Sequence, residues 1–325
     1  MLRNLLKHLN EKVIKIREYS IGIDVGGTNI KAGLLDEDGK IQLAKSIKTQ
    51  KEQGYISIIK KIIGLINSYQ DNEELKIKGV GLALPGAVND EKGLCLYCPN
   101  LKWDNINISS EIENSVGLKV KLINDANAAC LGDYFYGVGK NSNNIIYLTL
   151  GTGLGSAVII DNKLLQGKDK AAVEAGHMII EPFGYPCSCG SRGCFETLVS
   201  ATAIERRYSE KQDINRSFNK GNLTSKMIFE AYRNNDILAI KTIDETKEYL
   251  AIGISNLINI FNGEKVILAG GVMHSKEIIL EGLENRVKEC TYPSMRNFTI
   301  TVSKLGDNAG VMGAASLFFK TLKVI

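Results

Sequence analysis

The chain has 325 residues, enough for about two domains, and its 44% hydrophobic content is ordinary for a globular protein. The formal net charge of +4 is small, which gives no reason to expect a nucleic-acid partner, because such proteins carry a clustered basic surface. No run of about 18 apolar residues is present, so no membrane-spanning helix is expected. Seven cysteines and no apolar signal-peptide core favour a reducing, cytoplasmic compartment.

The first residues place apolar side chains at helical spacing between lysines and arginines. Such a pattern fits a helix on a membrane surface, or a short helix that packs on the body of the protein or on a second subunit. We expect the packed helix. The apolar positions are Leu2, Leu5, Leu6, Leu9, Val13 and Ile16.

The first half of the chain opens with antiparallel strands rather than a strand–helix–strand unit. Asp38-Gly39 is a hairpin signal between two apolar runs. The isoleucine spacing between Ile56 and Tyr69 predicts one face of a helix. The expected elements of this half are strands at 19–25, 30–35, 41–47, 79–84 and 120–123 and a helix over 56–69.

The order of strand, glycine turn, hairpin and helix returns in the second half. Asp161-Asn162 is a second hairpin signal. The polar stretch at 212–222 predicts a surface loop, and we place the domain division near Asn124, with the last helix returning to the first domain. The expected elements are helices at 126–136, 249–260 and 309–319 and strands at 144–150, 158–160, 163–165 and 265–269.

Three glycine turns follow apolar strands, and each can bring backbone N–H groups close to a phosphate because glycine has no Cβ. The first turn adds the Asp24 carboxylate, which can hold Mg²⁺ through water, and the Thr28 hydroxyl, which can bond a phosphate oxygen. Three ordinary turns are the alternative, although the shared position after a strand favours nucleotide binding. The candidate nucleotide-binding residues are Asp24, Gly26, Gly27, Thr28, Asn29, Lys31, Gly151, Thr152, Gly153, Gly270 and Gly271.

These turns match neither of two common phosphate-binding patterns. The P-loop sequence is absent, and the segment after the first turn reads as a strand, whereas a Rossmann fingerprint opens a helix. Two separated turns with antiparallel hairpins resemble the actin-like ATPase (ribonuclease H-like) fold of sugar kinases. The resemblance implies a two-lobed α/β protein with mixed sheets, flanking helices and ATP between the turns.

One histidine and three clustered cysteines form the strongest local signal, namely His177, Cys187, Cys189 and Cys194. Zn²⁺ prefers four tetrahedral ligands drawn from thiolate and imidazole, and this quartet supplies them. Because protein would fill all four positions, we expect a structural zinc that staples the loop and leaves no place for a catalytic water. Cys95 and Cys98 form a second close pair, which we interpret as a coincidence because no further pair remains to complete a site.

The chain resembles the ROK family of bacterial sugar kinases and sugar-responsive repressors. The resemblance covers nearly the whole chain from Tyr19 onward, and the paired zinc and Asn-Asp motifs are highly specific to the family. The segments that carry it are 24–31, 84–86, 99–103, 124–129, 151–155, 174–177, 187–196 and 309–314.

The resemblance implies an ATP-dependent kinase that transfers the γ-phosphate to the 6-hydroxyl of a hexose, most simply glucose. Residues 1–123 with 306–325 would form the N-terminal lobe, and residues 124–305 the C-terminal lobe with the zinc site. The implied cofactors are ATP, Mg²⁺ and structural Zn²⁺, and the implied assembly is a homodimer or homotetramer. We expect a cytoplasmic enzyme of carbohydrate metabolism (glycolysis) without nucleic-acid or membrane partners.

Asp125 is the candidate general base. Phosphoryl transfer depends on positioning and charge stabilisation, and a sugar hydroxyl of high pKa needs a carboxylate to accept its proton. Asp125 follows a strand end at the start of a helix, where it could equally be a simple N-cap. The family resemblance favours catalysis.

Five further positions correspond to the sugar-binding residues of the family. Carboxylates, amides and imidazole suit a polyol because each can bond adjacent hydroxyls. His177 would bind zinc through one ring nitrogen and a sugar hydroxyl through the other, so that the metal fixes its orientation. The candidates are Asn100, Asn124, Glu174, His177 and Glu196.

Two departures from the family motifs weaken the choice among sugars. Val173 stands where relatives often carry glycine before the glutamate, and Ser156 and Ala157 stand in a glycine run. N-acetylmannosamine or fructose kinase activity is therefore an alternative to glucokinase. A repressor of the same family is a remote alternative, since only about eighteen residues precede the first strand and a helix-turn-helix module would not fit in them.

Overall fold

The computed structural model describes residues 17–72, 74–212, 223–320 and 323–324. Five strands form the first sheet: β1 (Glu18–Val25), β2 (Asn29–Asp36), β3 (Ile41–Lys48), β4 (Lys76–Leu84) and β8 (Val120–Asn124). Their order is β3-β2-β1-β4-β8. The first three strands are antiparallel, β4 runs parallel to β1, and β8 runs parallel to β4. The carboxyl ends of β1, β4 and β8 therefore meet at one edge.

Six strands form the second sheet: β9 (Ile145–Leu150), β10 (Leu154–Ile160), β11 (Lys163–Leu164), β12 (Lys265–Ala269), β13 (Thr299–Val302) and β14 (Lys323–Val324). Their order is β13-β12-β9-β10-β11-β14. The second sheet repeats the plan of the first, because an antiparallel hairpin of β9 and β10 stands beside a parallel strand, β12. Each sheet thus brings one glycine turn to the end of its first strand.

Three short antiparallel strands form a third sheet: β5 (Ala87–Asn89), β6 (Leu94–Cys98) and β7 (Trp103–Asn107). This sheet directly follows the carboxyl end of β4. It was not among the expected elements, because its strands are short and Gly93 and Pro99 interrupt the alternating pattern. It places the segment around Asn100 beside the ends of β4 and β8.

Ten α-helices flank the sheets in the described residues: α1 (Gly54–Gln70), α2 (Ile108–Val116), α3 (Asp125–Tyr136), α4 (Glu196–Val199), α5 (Ala201–Lys211), α6 (Ser225–Arg233), α7 (Ile237–Phe261), α8 (Lys276–Leu280), α9 (Leu283–Cys290) and α10 (Ala309–Ser316). Side chains of β1, β2, β4 and α1 form one hydrophobic core, and those of β9, β10, β12 and α7 form another. Local caps start several helices. Asp236, for example, accepts a hydrogen bond from the N–H of Ala239 at the start of α7.

The helices α3 and α10 pack with almost no side chains between them. A Cβ on Gly313 would overlap the carbonyl oxygen of Ala128, and a Cβ on Gly132 would overlap that of Ala309. The helix α10 also packs on β1 and β4, where Gly22 and Gly81 allow similarly close contact. This packing ties the helix that follows β8 to the first sheet.

The expected strands and hairpins are present, with ends that differ by a few residues. The helix α7 is longer than predicted because it begins at Ile237 rather than near 249, and α10 ends at Ser316 rather than near 319. The predicted N-terminal helix and most of the predicted loop at 212–222 lie outside the described residues. The two-lobe division remains a prediction; β14, which we assigned to the first lobe, pairs with β11 of the second sheet.

Candidate active site

A pocket of about 530 Å³ lies where the ends of both sheets and the third sheet meet. Its lining residues come from the loops after β4 and β6, from the start of α3, from the β9–β10 turn and β10, and from both ends of the loop of residues 177–196 that carries the cysteines, called the cysteine loop below. The structure therefore gathers residues more than 90 positions apart in the sequence. The candidate residues in this lining are Asn100, Asn124, Asp125, Gly151, Gly153, Glu174, His177 and Glu196.

Asp125 is the first residue of α3 and lies in the pocket wall. Its Oδ1 accepts a hydrogen bond of 2.8 Å from the N–H of Ala126. Burial, together with the nearby negative charges of Asp24 and Glu174, raises the pKa of Asp125 to about 7, and the hydrogen bond from the backbone N–H of Ala126 opposes this rise. The carboxyl group can therefore change its protonation state near neutral pH.

Asn124 is the N-cap of α3, and its side chain is already used within the protein. Its Oδ1 accepts a hydrogen bond of 3.0 Å from the N–H of Asn127, and its Nδ2 donates one of 3.0 Å to the carbonyl of Gly86. These bonds leave the amide able to donate one further hydrogen bond. They also fix the strand-to-helix turn that presents Asp125. The cap is thus supplied by Asn124, not by Asp125.

The first glycine turn joins β1 to β2. Gly26 donates a hydrogen bond of 2.9 Å to the carbonyl of Asn29, while Gly27 faces open space. Thr49 is fully buried and braces the turn: its hydroxyl donates to the carbonyl of Gly26 at 2.6 Å, and its N–H donates to that of Thr28 at 2.9 Å. The turn is thereby held in shape from the end of β3.

The carboxylate of Asp24 lies at the start of α10, where a Cβ on Gly310 would touch it. Burial raises the pKa of Asp24 to about 6, and the opposing charge of Lys31 limits this rise. The Nζ atom of Lys31 forms an ion pair of 3.0 Å with the carboxylate of Asp307, which lies just before the start of α10. None of the candidate residues from 24 to 31 lines the 530 Å³ pocket, so the first turn lies beside the pocket rather than in its wall.

The second glycine turn joins β9 to β10 and contacts Glu196. The Oε2 atom of Glu196 accepts a hydrogen bond of 3.0 Å from the N–H of Leu154, and a Cβ on Gly153 would overlap this carboxylate. Thr152 is exposed. Glu196 therefore connects the cysteine loop to the turn, and glycine at 153 is required for that contact.

The third glycine turn follows β12. Gly270 has φ of +90° and lies so close to the backbone of Leu150 that any side chain would clash. Gly271 next to it faces open space. This turn lies against the end of β9, next to the second turn, as expected for two turns at the edge of one sheet.

The candidate ligand atoms of His177, Cys187, Cys189 and Cys194 all lie within 4.8 Å of one another. The Nδ1 atom of His177 is 3.5 Å from the Sγ of Cys187, and the Sγ atoms of Cys189 and Cys194 are 3.7 Å apart. Such spacing fits four donors around one ion, and a Cys₃His set suits zinc. The Nδ1 atom is thus the ring nitrogen of His177 that lies beside a thiol of the quartet.

The cysteine loop is held by its own backbone and by α7. Ile180 and Glu181 both donate hydrogen bonds to the carbonyl of Gly193, and Gly193 has φ of +62° with no room for a side chain against Glu181. The hydroxyl of Tyr249 in α7 donates to Glu181 at 2.6 Å. The loop is therefore a compact unit even apart from any metal.

Cys95 and Cys98 belong to β6 of the third sheet, where both are fully buried and their sulfur atoms are 2.6 Å apart. Within the described part of the chain, the cluster of metal-ligating side chains does not include them. The interpretation of this spacing as a coincidence stays a prediction.

Several pocket residues escaped the sequence analysis. Tyr97, which is 60% exposed, lines the pocket, and so do Ser156 and Ala171. Thr49 holds the first turn without lining the pocket. Ser156 and Val173 carried a signal, since both depart from the family motif, whereas Thr49 and Tyr97 carried none because nothing in their local sequence marks them.

The comparisons with known proteins agree with this geometry. The sequence profile of the ROK family matches residues 20–321. A glucokinase from Thermotoga maritima is 36% identical over 306 residues, which cover 91% of this chain and 96% of that protein. The xylose repressor of Bacillus subtilis is 31% identical over 302 residues, which cover 92% of this chain and 76% of that protein.

A solved structure of a ROK family glucokinase from Streptomyces griseus, in complex with glucose and AMPPNP, matches with a TM-score of 0.80 and 31% identity. The match covers 92% of this chain and 98% of that one. Among the described residues, no helix is both long and apolar enough to cross a membrane. The chain belongs to the ROK family, and it is an ATP-dependent sugar kinase.

Proposed function

We propose that this kinase phosphorylates glucose at its 6-hydroxyl, with Asp125 as the general base. The observation that carries the proposal is the position of Asp125 in the pocket wall, with a pKa raised to about 7. A base whose pKa lies near the working pH combines a large ionised fraction with a useful proton affinity. No other carboxylate of the lining begins a helix directly after a strand of the first sheet.

The reaction requires one proton transfer and one displacement at phosphorus. The oxygen of the 6-hydroxyl forms a bond to the γ-phosphorus as the bond between that phosphorus and the β,γ-bridging oxygen breaks, and ADP leaves. The hydroxyl proton passes to the carboxylate of Asp125. Most of the rate enhancement would come from holding the two reactants in line and from neutralising the charge on the phosphoryl group.

The sugar would lie among the polar side chains of the pocket. Glu174 and Glu196 offer carboxylates that can each accept from two adjacent hydroxyls, and Nε2 of His177 offers a third contact. Asn100 would contribute from the third sheet, and the free amide hydrogen of Asn124 from the start of α3. The hydrogen bond from Leu154 to Glu196 supports a fixed carboxylate at this place.

The nucleotide would lie along the glycine turns. Gly26, Gly27, Thr28 and Asn29 would contact phosphates from the first hairpin, with Asp24 holding Mg²⁺ through water and Lys31 adding positive charge. The facing turns contribute the remaining candidates: Gly151, Thr152, Gly153, Gly270 and Gly271. Gly27 and Gly271 face open space, which supports close approach of a ligand to the backbone there.

The Cys₃His quartet would hold a structural zinc ion. All four ligands come from the protein, so the ion would orient His177 and stiffen the loop rather than activate water. Binding through Nδ1 would leave Nε2 of His177 as the nitrogen that meets the sugar. One metal would thereby position both His177 and, through the same loop, Glu196.

Glucose is proposed because the relatives named above include a glucokinase at 36% identity and a solved glucokinase with bound glucose. A panel of glucose, N-acetylmannosamine, fructose and mannose in a coupled ADP assay tests the choice. We expect the highest kcat/KM with glucose. A preference for N-acetylmannosamine or fructose would overturn the substrate while leaving the kinase activity in place.

The xylose repressor match makes sugar-responsive DNA binding the second candidate function. A sugar pocket alone is compatible with both functions, because a repressor also has to recognise its sugar. The two relatives differ in how much of their length the match includes: this chain covers 96% of the glucokinase but 76% of the repressor. A gel-shift assay with and without sugar separates the two functions, and we expect no shift.

A further inference from the structure

Ser156 makes two hydrogen bonds that enclose Glu174. Its hydroxyl donates to the carbonyl of Val173 at 2.7 Å and accepts from the N–H of Ala175 at 3.0 Å. Ser156 is 6% exposed and lies in the pocket wall. One side chain from β10 thus holds the backbone on both sides of a pocket carboxylate.

These two bonds connect the backbone that carries Glu174 to a strand of the second sheet. Ser156 lies in the middle of β10 and pairs with Leu148 of β9, so its Cα is held by the sheet. The carbonyl of Glu174 accepts from the N–H of His177 at 3.0 Å, which begins the turn leading to the cysteine loop. A shift of the 173–175 backbone would therefore move both Glu174 and His177.

The strand holds this segment at a second point that does not depend on a side chain. A Cβ on Gly176 would overlap the carbonyl oxygen of Leu154, so the backbones already touch there. With the segment fixed at 176, the hydroxyl of Ser156 is the contact that sets the rest of its path. The N–H of Ala175 is buried and has to be paired by this hydroxyl or by water.

The two motif departures noted in the sequence are therefore joined by one hydrogen bond. Val173 and Ser156 both replace residues that are often glycine in the family, and the serine hydroxyl binds the carbonyl of that valine. Val173 adds a side chain to the pocket wall beside Glu174. The bond reaches the main-chain carbonyl of Val173, so the two positions are joined through the backbone that carries Glu174.

We propose that Ser156 is a positioning residue for the sugar site, and that its hydroxyl, coupled to Val173, holds Glu174 in the direction that binds the sugar. The inference rests on the proposed role of Glu174 in sugar binding. It predicts a defect in sugar affinity rather than in nucleotide binding, because neither bond involves the nucleotide side of the pocket.

The Ser156→Ala variant removes both bonds. We expect the KM for the preferred hexose to rise about tenfold, which is the effect of leaving buried backbone groups without partners. The KM for ATP should stay within about twofold of the wild type, because the glycine turns are unchanged. Ser255→Ala is the matched control, because Ser255 is also buried and its hydroxyl donates to the carbonyl of Ile252 within a helix. The sugar KM of Ser255→Ala should equal that of the wild type.

A double-mutant cycle tests the coupling to Val173. Ser156→Gly alone should reproduce the rise in sugar KM. It can replace Ser156→Ala as the test if the alanine variant is insoluble. In the Val173→Gly background, Ser156→Gly should raise the sugar KM less than about threefold. Glycine at 173 makes this backbone more flexible, so a water molecule can replace the hydroxyl as the partner of the two backbone groups. Equal effects in both backgrounds would overturn the coupling.

The two levels of the hypothesis fail in different ways. A wild-type chain that phosphorylates none of the hexoses would contradict the proposed function. A wild-type chain that is active, but whose Ser156→Ala and Ser156→Gly variants keep the wild-type sugar KM, would contradict the inference alone. A conservative variant gives the last test. Ser156→Thr keeps the hydroxyl on a strand that favours β-branched residues. We expect its sugar KM to be closer to that of the wild type than the sugar KM of Ser156→Ala.

Discussion

At the residue scale, the ionisation of Asp125 sets the pH range in which the proposed site can accept a proton. Its pKa of about 7 means that the group is mostly protonated below neutrality. We expect Asp125→Asn to fold and to bind sugar but to lose nearly all turnover, since an amide cannot take the proton. Turnover within tenfold of the wild type, measured in the coupled ADP assay, would contradict the role.

The same residue gives a stability prediction with a definite sign. The pKa of Asp125 is raised above the ordinary value of 3.8, so its contribution to folding is most favourable at low pH and is lost as pH rises through about 7. Asparagine does not titrate. We compare the melting temperature of Asp125→Asn minus that of the wild type at two pH values. This difference should be larger at pH 8 than at pH 5 by at least about 2 °C. An equal difference at the two pH values would contradict the raised pKa.

Thr49 is the corresponding test of the first glycine turn. Thr49→Val keeps the shape of the side chain but leaves the carbonyl of Gly26 without its hydroxyl partner. We expect the KM for ATP to rise about fivefold, while the sugar KM stays within twofold. Thr242→Val is the control, because Thr242 is also fully buried and donates to one helix carbonyl, that of Leu238; its ATP KM should not change.

At the element scale, the contact between α3 and α10 depends on glycine. Gly313→Ala would drive a methyl group into the carbonyl oxygen of Ala128, and backbone there cannot move aside without shifting the helix that begins with Asp125. We expect a loss of several degrees in melting temperature together with lower turnover. Gly64→Ala is the control, because Gly64 lies in α1 facing open space, where alanine should stabilise the helix by about 1 kcal/mol. Equal effects of the two changes would contradict this packing argument.

The cysteine loop is the second element with a testable role. Removal of zinc by a chelator, or the change Cys189→Ser, should raise the sugar KM at least tenfold, because His177 and Glu196 would lose their common support. Metal analysis should find about one zinc ion per wild-type chain and none in the variant. Cys290→Ser, which changes a thiol outside the quartet, should keep both the zinc and the sugar KM. A zinc-free protein with an unchanged sugar KM would contradict the support proposed here.

For the whole molecule, the sequence predicted what short motifs encode. The quartet and the glycine turns lie in compact segments whose chemistry is visible within about twenty residues, whereas the assignment of Asp125 as the base depended on the family resemblance. Ser156 and Thr49 could not be predicted as supports, because their partners lie 17 and 23 positions away and only the folded chain brings them together. The third sheet was missed for a related reason, since its buried side chains join a core shared with the first sheet and α1, and only the folded chain brings these elements together.

The pocket is built from both sheets, which leads to a prediction about the coupling of its two ligands. If the walls close on the sugar, glucose should order the turns that hold the phosphates, and the affinity for AMPPNP should rise at least fivefold in saturating glucose. Calorimetric titration of AMPPNP with and without glucose measures this factor, and thermodynamic reciprocity requires AMPPNP to tighten glucose by the same factor. Asp125→Asn should keep the coupling, because asparagine removes the proton acceptor but keeps the size and shape of the side chain in the pocket wall. A nucleotide affinity that does not depend on sugar would show that the two halves of the pocket bind their ligands separately.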